Sequence, residues 1–220
     1  MAPQFLTFTF PWKVELLYSV SKRILLVGVL ALVVSGTGAR ADDKDGKYAV
    51  RGAGAQSCER FVSYMGSSDA AVKRETVLIY DAWFSGYASH VNRVAEKTYD
   101  ISPIVSSIDM LNLLIQQCAR NPKALVETIA AGVLSGLAPG KVAEESELVT
   151  VADGENKREY RRSTILAVQV KLAAQKLLTE KPDGRFGPKT SAALMQFQKA
   201  EKLPETGFLD ARTLLRLVLK

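Results

Sequence analysis

An unbroken apolar run, ILLVGVLALVV, occupies residues 24–34 near the start of the chain. Lys22 and Arg23 stand directly before it, and a small-x-small sequence ends at Ala41. A positive segment, a short apolar run and a small-x-small sequence are typical of a secretory signal peptide. A helix over these residues would extend only about 17 Å, well short of the ~30 Å hydrocarbon core of a membrane. We therefore predict that residues 1–41 are a cleaved signal peptide.

Two alternatives to this interpretation stay open. The apolar run could remain uncleaved as a membrane anchor, although Asp42 directly after Ala41 favours cleavage. The segment before Lys22 is long and aromatic for a signal peptide, so Val20 is an alternative start of translation to Met1.

Beyond the signal, apolar residues recur at spacings of three, four and seven, which places them on one face of a helix. This pattern predicts three helices, over residues 70–95, 106–120 and 123–137. Ser106-x-x-Asp109 resembles a capping box, and Asn121-Pro122 is typical of a helix start. We predict a helical domain over residues 42–137.

The end of the chain predicts three shorter helices. The first spans about residues 163–178 with Ser163 or Thr164 as its cap, the second begins at Pro188, and Asp210 caps the third. The fold class predicted for the mature chain is therefore all-α.

The segment between these two regions, residues 138–160, is charged and keeps no apolar period. We predict a charged linker here, with a short strand over 148–151 as an option. Residues 42–160 carry 13 basic and 17 acidic side chains, whereas residues 161–220 carry 12 basic and 5 acidic ones. This reversal of charge across a polar segment indicates a domain boundary, with a second domain over residues 161–220.

The histidine and cysteine content excludes several chemistries. The chain has one histidine, His90, and two cysteines, Cys58 and Cys118, which cannot supply a multi-ligand zinc site, an iron–sulfur cluster or a haem attachment motif. A Ser-His or Cys-His catalyst would need His90, and no carboxylate pair is singled out for glycosidase chemistry. We predict no metal, no cofactor and no catalysis. The formal charge of +6 is too mild to indicate a nucleic acid partner.

Export changes how the two cysteines are interpreted. An exported chain enters an oxidising compartment, where two cysteines in one domain indicate a disulfide. We predict a bond between Cys58 and Cys118.

Three motifs follow one another within residues 165–219. They are Asp-Gly-x-Phe-Gly-x-x-Thr from Asp183, Ala-x-x-x-Phe-Gln from Ala193 and Gly-x-x-Asp-x-x-Thr from Gly207. In this order and spacing they resemble the type 1 peptidoglycan-binding domain of bacterial cell-wall proteins. One departure is Lys176, which stands where that family often has glycine.

This resemblance implies non-covalent binding to peptidoglycan through its stem peptides, in the periplasm and at the cell wall, with no membrane insertion after signal cleavage. Stem peptides carry carboxylates, which suits the positive charge of residues 161–220. The predicted ligand contacts are Arg185, Lys189, Gln198 and Arg212. The other motif residues are expected to be structural, namely Asp183, Gly184, Phe186, Gly187, Thr190, Phe197, Gly207, Asp210 and Thr213. Among them, the three glycines are expected to form turns.

A second resemblance covers residues 58–137. It rests on Cys58, Trp83-x-x-Gly86-Tyr87-x-Ser89 and Cys118-x-x-Asn121-Pro122. This pattern is similar to two kinds of small exported protein, the periplasmic acid-stress chaperones and the periplasmic immunity-type proteins. It implies a protein partner for the helical domain.

Together these features predict an exported, non-catalytic protein that binds peptidoglycan and holds a helical module at the wall. The alternatives are a chaperone-like or immunity-type protein, or an inhibitor of a wall enzyme. A third hypothesis is an accessory part of a cell-wall lytic enzyme.

Overall fold

The structure is a computed structural model, and it describes residues 43, 45–153 and 156–218. Every helix and strand named below lies in one compact unit, Tyr48–Lys220. The predicted signal peptide over residues 1–41 and the alternative start at Val20 lie outside the described residues.

Within the described residues, four α-helices precede a β-hairpin and three α-helices follow it. The helical module comprises α1 (Cys58–Met65), α2 (Ala70–Val94), α3 (Ser107–Arg120) and α4 (Val126–Leu137). The hairpin comprises β1 (Leu148–Asp153) and β2 (Asn156–Arg161). The C-terminal module comprises α5 (Arg162–Ala174), α6 (Pro188–Ala200) and α7 (Ala211–Val218). The fold is mostly helical, which confirms the predicted class, and the hairpin is an addition to it.

Side-chain caps begin two of the predicted helices where the sequence places them. The Ser106 hydroxyl accepts a hydrogen bond from the Asp109 backbone N–H at 3.1 Å, and the Asp210 carboxylate accepts one from the Thr213 backbone N–H at 3.0 Å. Each cap satisfies an amide that has no partner within its own helix. Both capping predictions are confirmed.

Helix α5 begins differently from its prediction. Ser163 and Thr164 lie inside the helix, where their buried hydroxyls have no hydrogen-bond partner, so neither serves as its cap. Strand β2 instead continues directly into α5, and the Arg162 backbone N–H donates to the Glu147 carbonyl at 2.8 Å. The Ser163 backbone N–H donates to the Ser146 hydroxyl at 2.9 Å, so a side chain from the segment before β1 takes the place of a local cap.

Helix α1 was not predicted, and its packing explains an error in the next prediction. The backbone N–H groups of Cys58 and Glu59, in the first turn of α1, donate to the carbonyls of Ala124 and Pro122, each at 2.9 Å. The segment around Asn121 therefore pairs with the start of α1 and adopts a non-helical conformation. The predicted helix start at Asn121-Pro122 is wrong, and α4 begins only at Val126.

A disulfide between Cys58 and Cys118 joins the start of α1 to the last turn of α3, which confirms the predicted bond. Both cysteines are fully buried, and the Phe61 ring stacks on Tyr80 of α2 with 4.0 Å between the ring centroids. The bond therefore lies inside the core of the helical module.

A buried carboxylate fastens the chain that precedes α1. The hydroxyls of Tyr48 and Tyr87 both donate to Oε1 of Glu127 at 2.9 Å. The hydrogen bond to Glu127 raises the pKa of Tyr48, and burial raises the pKa of Tyr87. The Trp83 indole N–H donates to the Arg51 carbonyl at 3.1 Å, so α2 holds this segment at a second point.

The described residues of the segment predicted as a linker, residues 138–160, include most of the hairpin. Strands β1 and β2 pair in antiparallel register with Leu148 opposite Arg161. Val151 and Tyr160 are buried on one face of the hairpin, and burial raises the pKa of Tyr160 to about 12. The optional strand predicted over residues 148–151 is therefore confirmed as part of β1.

The charges that indicated a solvated linker are used in contacts with the helical module. The Arg161 guanidinium pairs with Asp100 at 3.1 Å, and the Arg158 guanidinium pairs with Asp109 at 3.3 Å. The hairpin therefore packs against the helical module and leads without a break into the C-terminal module.

Helices α5 and α6 end in the same way, with a lysine in the left-handed conformation. Lys176 has φ 60° and Lys202 has φ 57°. After α5 the Leu177 N–H donates back to the Leu172 carbonyl at 2.9 Å, which is the six-to-one bond of a Schellman motif. Helix α5 therefore stops at Ala174, before its predicted end at 178.

Replacing Lys176 with glycine should raise the free energy of unfolding by about 0.5–1 kcal/mol, because glycine adopts positive φ without a Cβ clash. Urea unfolding would measure this change. Lys176→Ala is the matched control, since it removes the same charge but keeps the strain. Equal stabilities of the two variants would contradict the prediction.

Replacing both Cys58 and Cys118 with alanine should lower the free energy of unfolding by about 4 kcal/mol, because the bond closes a loop of 60 residues. Titration of the denatured wild-type chain without reductant should find almost no free thiol. Two free thiols per chain would contradict the bond.

Candidate functional site

The first turn of the C-terminal module is organised around the side-chain amide of Gln169, which is 3% exposed. Its Oε1 accepts hydrogen bonds from the backbone N–H groups of Asp183 at 2.9 Å and Gly184 at 2.8 Å. Its Nε2 donates to the Arg185 carbonyl at 2.8 Å and the Thr190 hydroxyl at 3.1 Å. One amide thus fixes the backbone between α5 and α6.

The second turn is organised in the same way around Gln198, which is fully buried. Its Oε1 accepts a hydrogen bond from the Gly207 backbone N–H at 2.8 Å. Its Nε2 donates to the Phe208 carbonyl at 2.9 Å and to the hydroxyls of Thr206 and Thr213, each at 3.0 Å. The amide fixes the backbone between α6 and α7.

These two networks show that the C-terminal module is an internal repeat. In each, the glutamine oxygen binds the N–H of a glycine, and its nitrogen binds the next carbonyl and a threonine six residues beyond that glycine. Gly184 has φ 74° and Gly207 has φ 68°, so both turns need glycine's freedom. The sequences DGRFGPKT and TGFLDART align without a gap, which is a signal that the motif analysis missed.

The repeat changes the role given to Gln198. Gln198 was predicted to contact the ligand, but its buried amide is hydrogen-bonded within the turn, so it supports the backbone instead. Gln169 has the equivalent role and was not singled out from the sequence. Both residues hold the turns from which other side chains extend.

The remaining motif residues lie in the interior or in the turns. Phe186 stacks between Tyr160 and Phe208, with centroid distances of 6.1 and 6.4 Å. Gly187 precedes α6 with φ −134°, which is extended backbone, and a Cβ built on it would meet nothing within 4 Å. Gly187 therefore does not supply the tight turn expected of it. Five others are buried, namely Gly184, Thr190, Phe197, Gly207 and Thr213.

Arg185 and Lys189 line one open cavity of about 320 Å³, which we call the first-repeat cavity. The Lys189 ammonium forms an ion pair with Glu180 at its edge. Asp183 also lines it, and the backbone N–H of Arg185 together with the Gln169 amide lowers the pKa of Asp183. The Asp183 carboxylate is thus committed to the turn, and the cavity has three basic lining residues, namely Lys181, Arg185 and Lys189.

Arg212 lies on a different cavity of about 280 Å³, the second-repeat cavity. Four α3 residues form its other wall, namely Asp109, Asn112, Leu113 and Gln116. The structure therefore brings together only two of the four predicted ligand contacts.

The part of the chain that the structure describes contains neither a metal-binding cluster nor a membrane-spanning helix. Across residues 45–153 and 156–218, no three His, Cys, Asp or Glu side chains are placed to hold a metal ion. None of the helices described there has the length and apolar character needed to cross a bilayer.

Replacing Gln198 with leucine should lower the free energy of unfolding by about 2–4 kcal/mol, because it leaves buried polar groups of the second turn without partners. Thermal or urea unfolding would measure the loss. Gln196→Leu is the control, since Gln196 is exposed on the same helix and should change stability by less than about 0.5 kcal/mol. Equal effects of the two changes would rule out the structural role.

Comparison with known proteins agrees with this geometry. Residues 161–217 match the family described as putative peptidoglycan binding domain, and this segment contains both glutamine-centred turns. No curated protein and no solved structure gives a significant match to the chain. The resemblance of residues 58–137 to periplasmic chaperones and immunity-type proteins thus gains no support and stays a prediction. The C-terminal module is a peptidoglycan-binding domain of this family, as its motifs predicted.

Proposed function

We propose that this protein is exported to the periplasm and binds peptidoglycan without cleaving it, holding its helical module at the cell wall. The family match over residues 161–217 supports the wall as the partner. The ion pairs between the hairpin and the helical module support the proposal that the helical module is held at the wall, because they connect that module to the wall-binding domain.

The ligand proposed for the first-repeat cavity is a carboxylate of a peptidoglycan stem peptide. The observation that carries this assignment is the convergence of Arg185 and Lys189 on one cavity whose backbone is fixed by Gln169. A guanidinium binds a carboxylate through two parallel N–H groups, and an ammonium adds a point charge. Lys189 would exchange Glu180 for the ligand carboxylate.

The proposed lack of catalysis is supported by the environment of the reactive side chains. His90 is exposed on α2, where its Nδ1 lies 3.2 Å from the Arg93 guanidinium. Both cysteines are joined in the disulfide. A nucleophile activated by histidine would need His90 as its base, and His90 is exposed. A cysteine nucleophile would need a free thiol, and both cysteines are bonded to each other.

A protein partner is proposed for the helical module. Leu78 and Ile79 of α2 are 71% and 50% exposed, and these large apolar side chains are available for a contact. This observation favours a partner that docks on α2, such as a client protein or a wall enzyme.

Replacing Arg185 and Lys189 together with glutamine should weaken binding to insoluble peptidoglycan severalfold without unfolding the domain. Each exposed ion pair contributes only about 0–1 kcal/mol, so binding should fall rather than vanish. Co-sedimentation at low salt and at about 0.15 M salt would measure the affinity, because distant charges are screened beyond ~8 Å at the higher value.

Lys171→Gln with Lys199→Gln is the matched control, since it removes two exposed charges of the same module outside the cavity. Equal losses in the two double variants would mean that net charge alone drives binding. Release of soluble wall fragments into the supernatant would contradict the non-catalytic role.

A further inference from the structure

The internal repeat places an equivalent cavity beside each turn. Aligned on their glycines, Lys189 of the first repeat corresponds to Arg212 of the second, and Asp183 corresponds to Thr206. All four residues line the cavity of their own repeat, the first of about 320 Å³ and the second of about 280 Å³. A basic side chain thus occupies the same position in both cavities.

The helical module forms one wall of the second-repeat cavity. Asn112 and Gln116 are exposed on α3, one turn apart, and their amides make no hydrogen bond within the part of the chain that the structure describes. A side-chain amide offers a donor and an acceptor together, which matches the backbone of a peptide. The first-repeat cavity has no such wall, since all its lining residues belong to the C-terminal module.

The cation of the second-repeat cavity is also free to bind an anion. Arg212 forms no ion pair with any described residue, in contrast to Lys189. Two carboxylates also line this cavity, and both have partners. Asp210 is committed to the helix cap, because its two oxygens accept hydrogen bonds from the Thr213 N–H and hydroxyl, each at 3.0 Å. Asp109 pairs with the Arg158 guanidinium at 3.3 Å. A carboxylate ligand would therefore meet an available guanidinium and need not displace an existing partner.

We propose that the second-repeat cavity is a second binding site for a carboxylate-bearing stem peptide, built jointly by Arg212 and by Asn112 and Gln116 of α3. This inference rests on the proposed function, because it assigns the same class of ligand to the equivalent place in the repeat. Each chain then binds two stem peptides, and on an intact wall the second contact follows at the high effective concentration that the first creates.

Peptide titration followed by two-dimensional NMR would test the two sites separately. The probe is a synthetic stem tetrapeptide with a free C-terminal carboxylate, added to the chain that begins at Asp42. The backbone amides of Gly184 and Gly207 are the reporters, since each is bonded to the glutamine of its own turn. Both signals should shift in the wild-type chain.

Changing Asn112 and Gln116 to alanine, or Arg212 to glutamine, should weaken the response at Gly207 severalfold and leave the response at Gly184 intact. Arg185→Gln with Lys189→Gln should have the opposite effect. Gln175→Ala with Gln196→Ala is the control, because it removes two exposed amides that line neither cavity.

A response at Gly184 alone in the wild-type chain would overturn the second site and leave the proposed function standing. A response at Gly207 that the Asn112 and Gln116 changes do not alter would overturn the shared construction of the site. If neither reporter responds and the wild-type chain does not sediment with peptidoglycan, the proposed function itself has failed.

Discussion

The buried side-chain amides of Gln169 and Gln198 are the interactions on which the peptidoglycan-binding domain depends. Each replaces the hydrogen bonds that a turn would otherwise make with water, using one oxygen and one nitrogen to hold several backbone and hydroxyl groups. The basic side chains that extend from the turn are therefore presented on a rigid backbone, which reduces the entropy lost when they bind.

The hairpin determines how the wall-binding domain relates to the rest of the molecule. Tyr160 stacks on Phe186 of the C-terminal module, while the neighbouring Arg161 pairs with Asp100 of the helical module. Consecutive residues of one strand thus contact both modules. Together with α3 at the second-repeat cavity, these contacts make the two modules parts of one compact unit.

The sequence predicted the features that neighbouring residues determine, but its predictions were wrong where contacts between distant parts of the chain determine the structure. The caps at Ser106 and Asp210 and the positive φ of Gly184 and Gly207 depend on neighbouring residues, so short patterns were sufficient. Asn121-Pro122 has the composition of a helix start, but pairing with α1 overrides it.

The paired hairpin and the structural role of Gln198 were not predicted for the same reason, because both depend on contacts made only in the folded chain. Residues 148–161 carry charges whose partners lie 49 and 61 residues away along the chain, so composition alone favoured a solvated linker. A polar side chain inside a motif was expected to face a ligand, and only the folded turn shows that Gln198 faces inward. Of the candidate site, Arg185 and Lys189 could be found from the sequence, whereas the wall formed by α3 could not.

The register of the hairpin has a mechanical consequence. The chain enters it at Leu148 and leaves it at Arg161, and these two residues are paired directly opposite each other. A force that pulls the wall-bound end away from the helical module would therefore open the ladder one rung at a time from this pair. Fully extended, residues 148–161 would release about 45 Å of chain at ~3.3 Å per residue. The hairpin can thus yield under tension before the disulfide-bonded core carries the load.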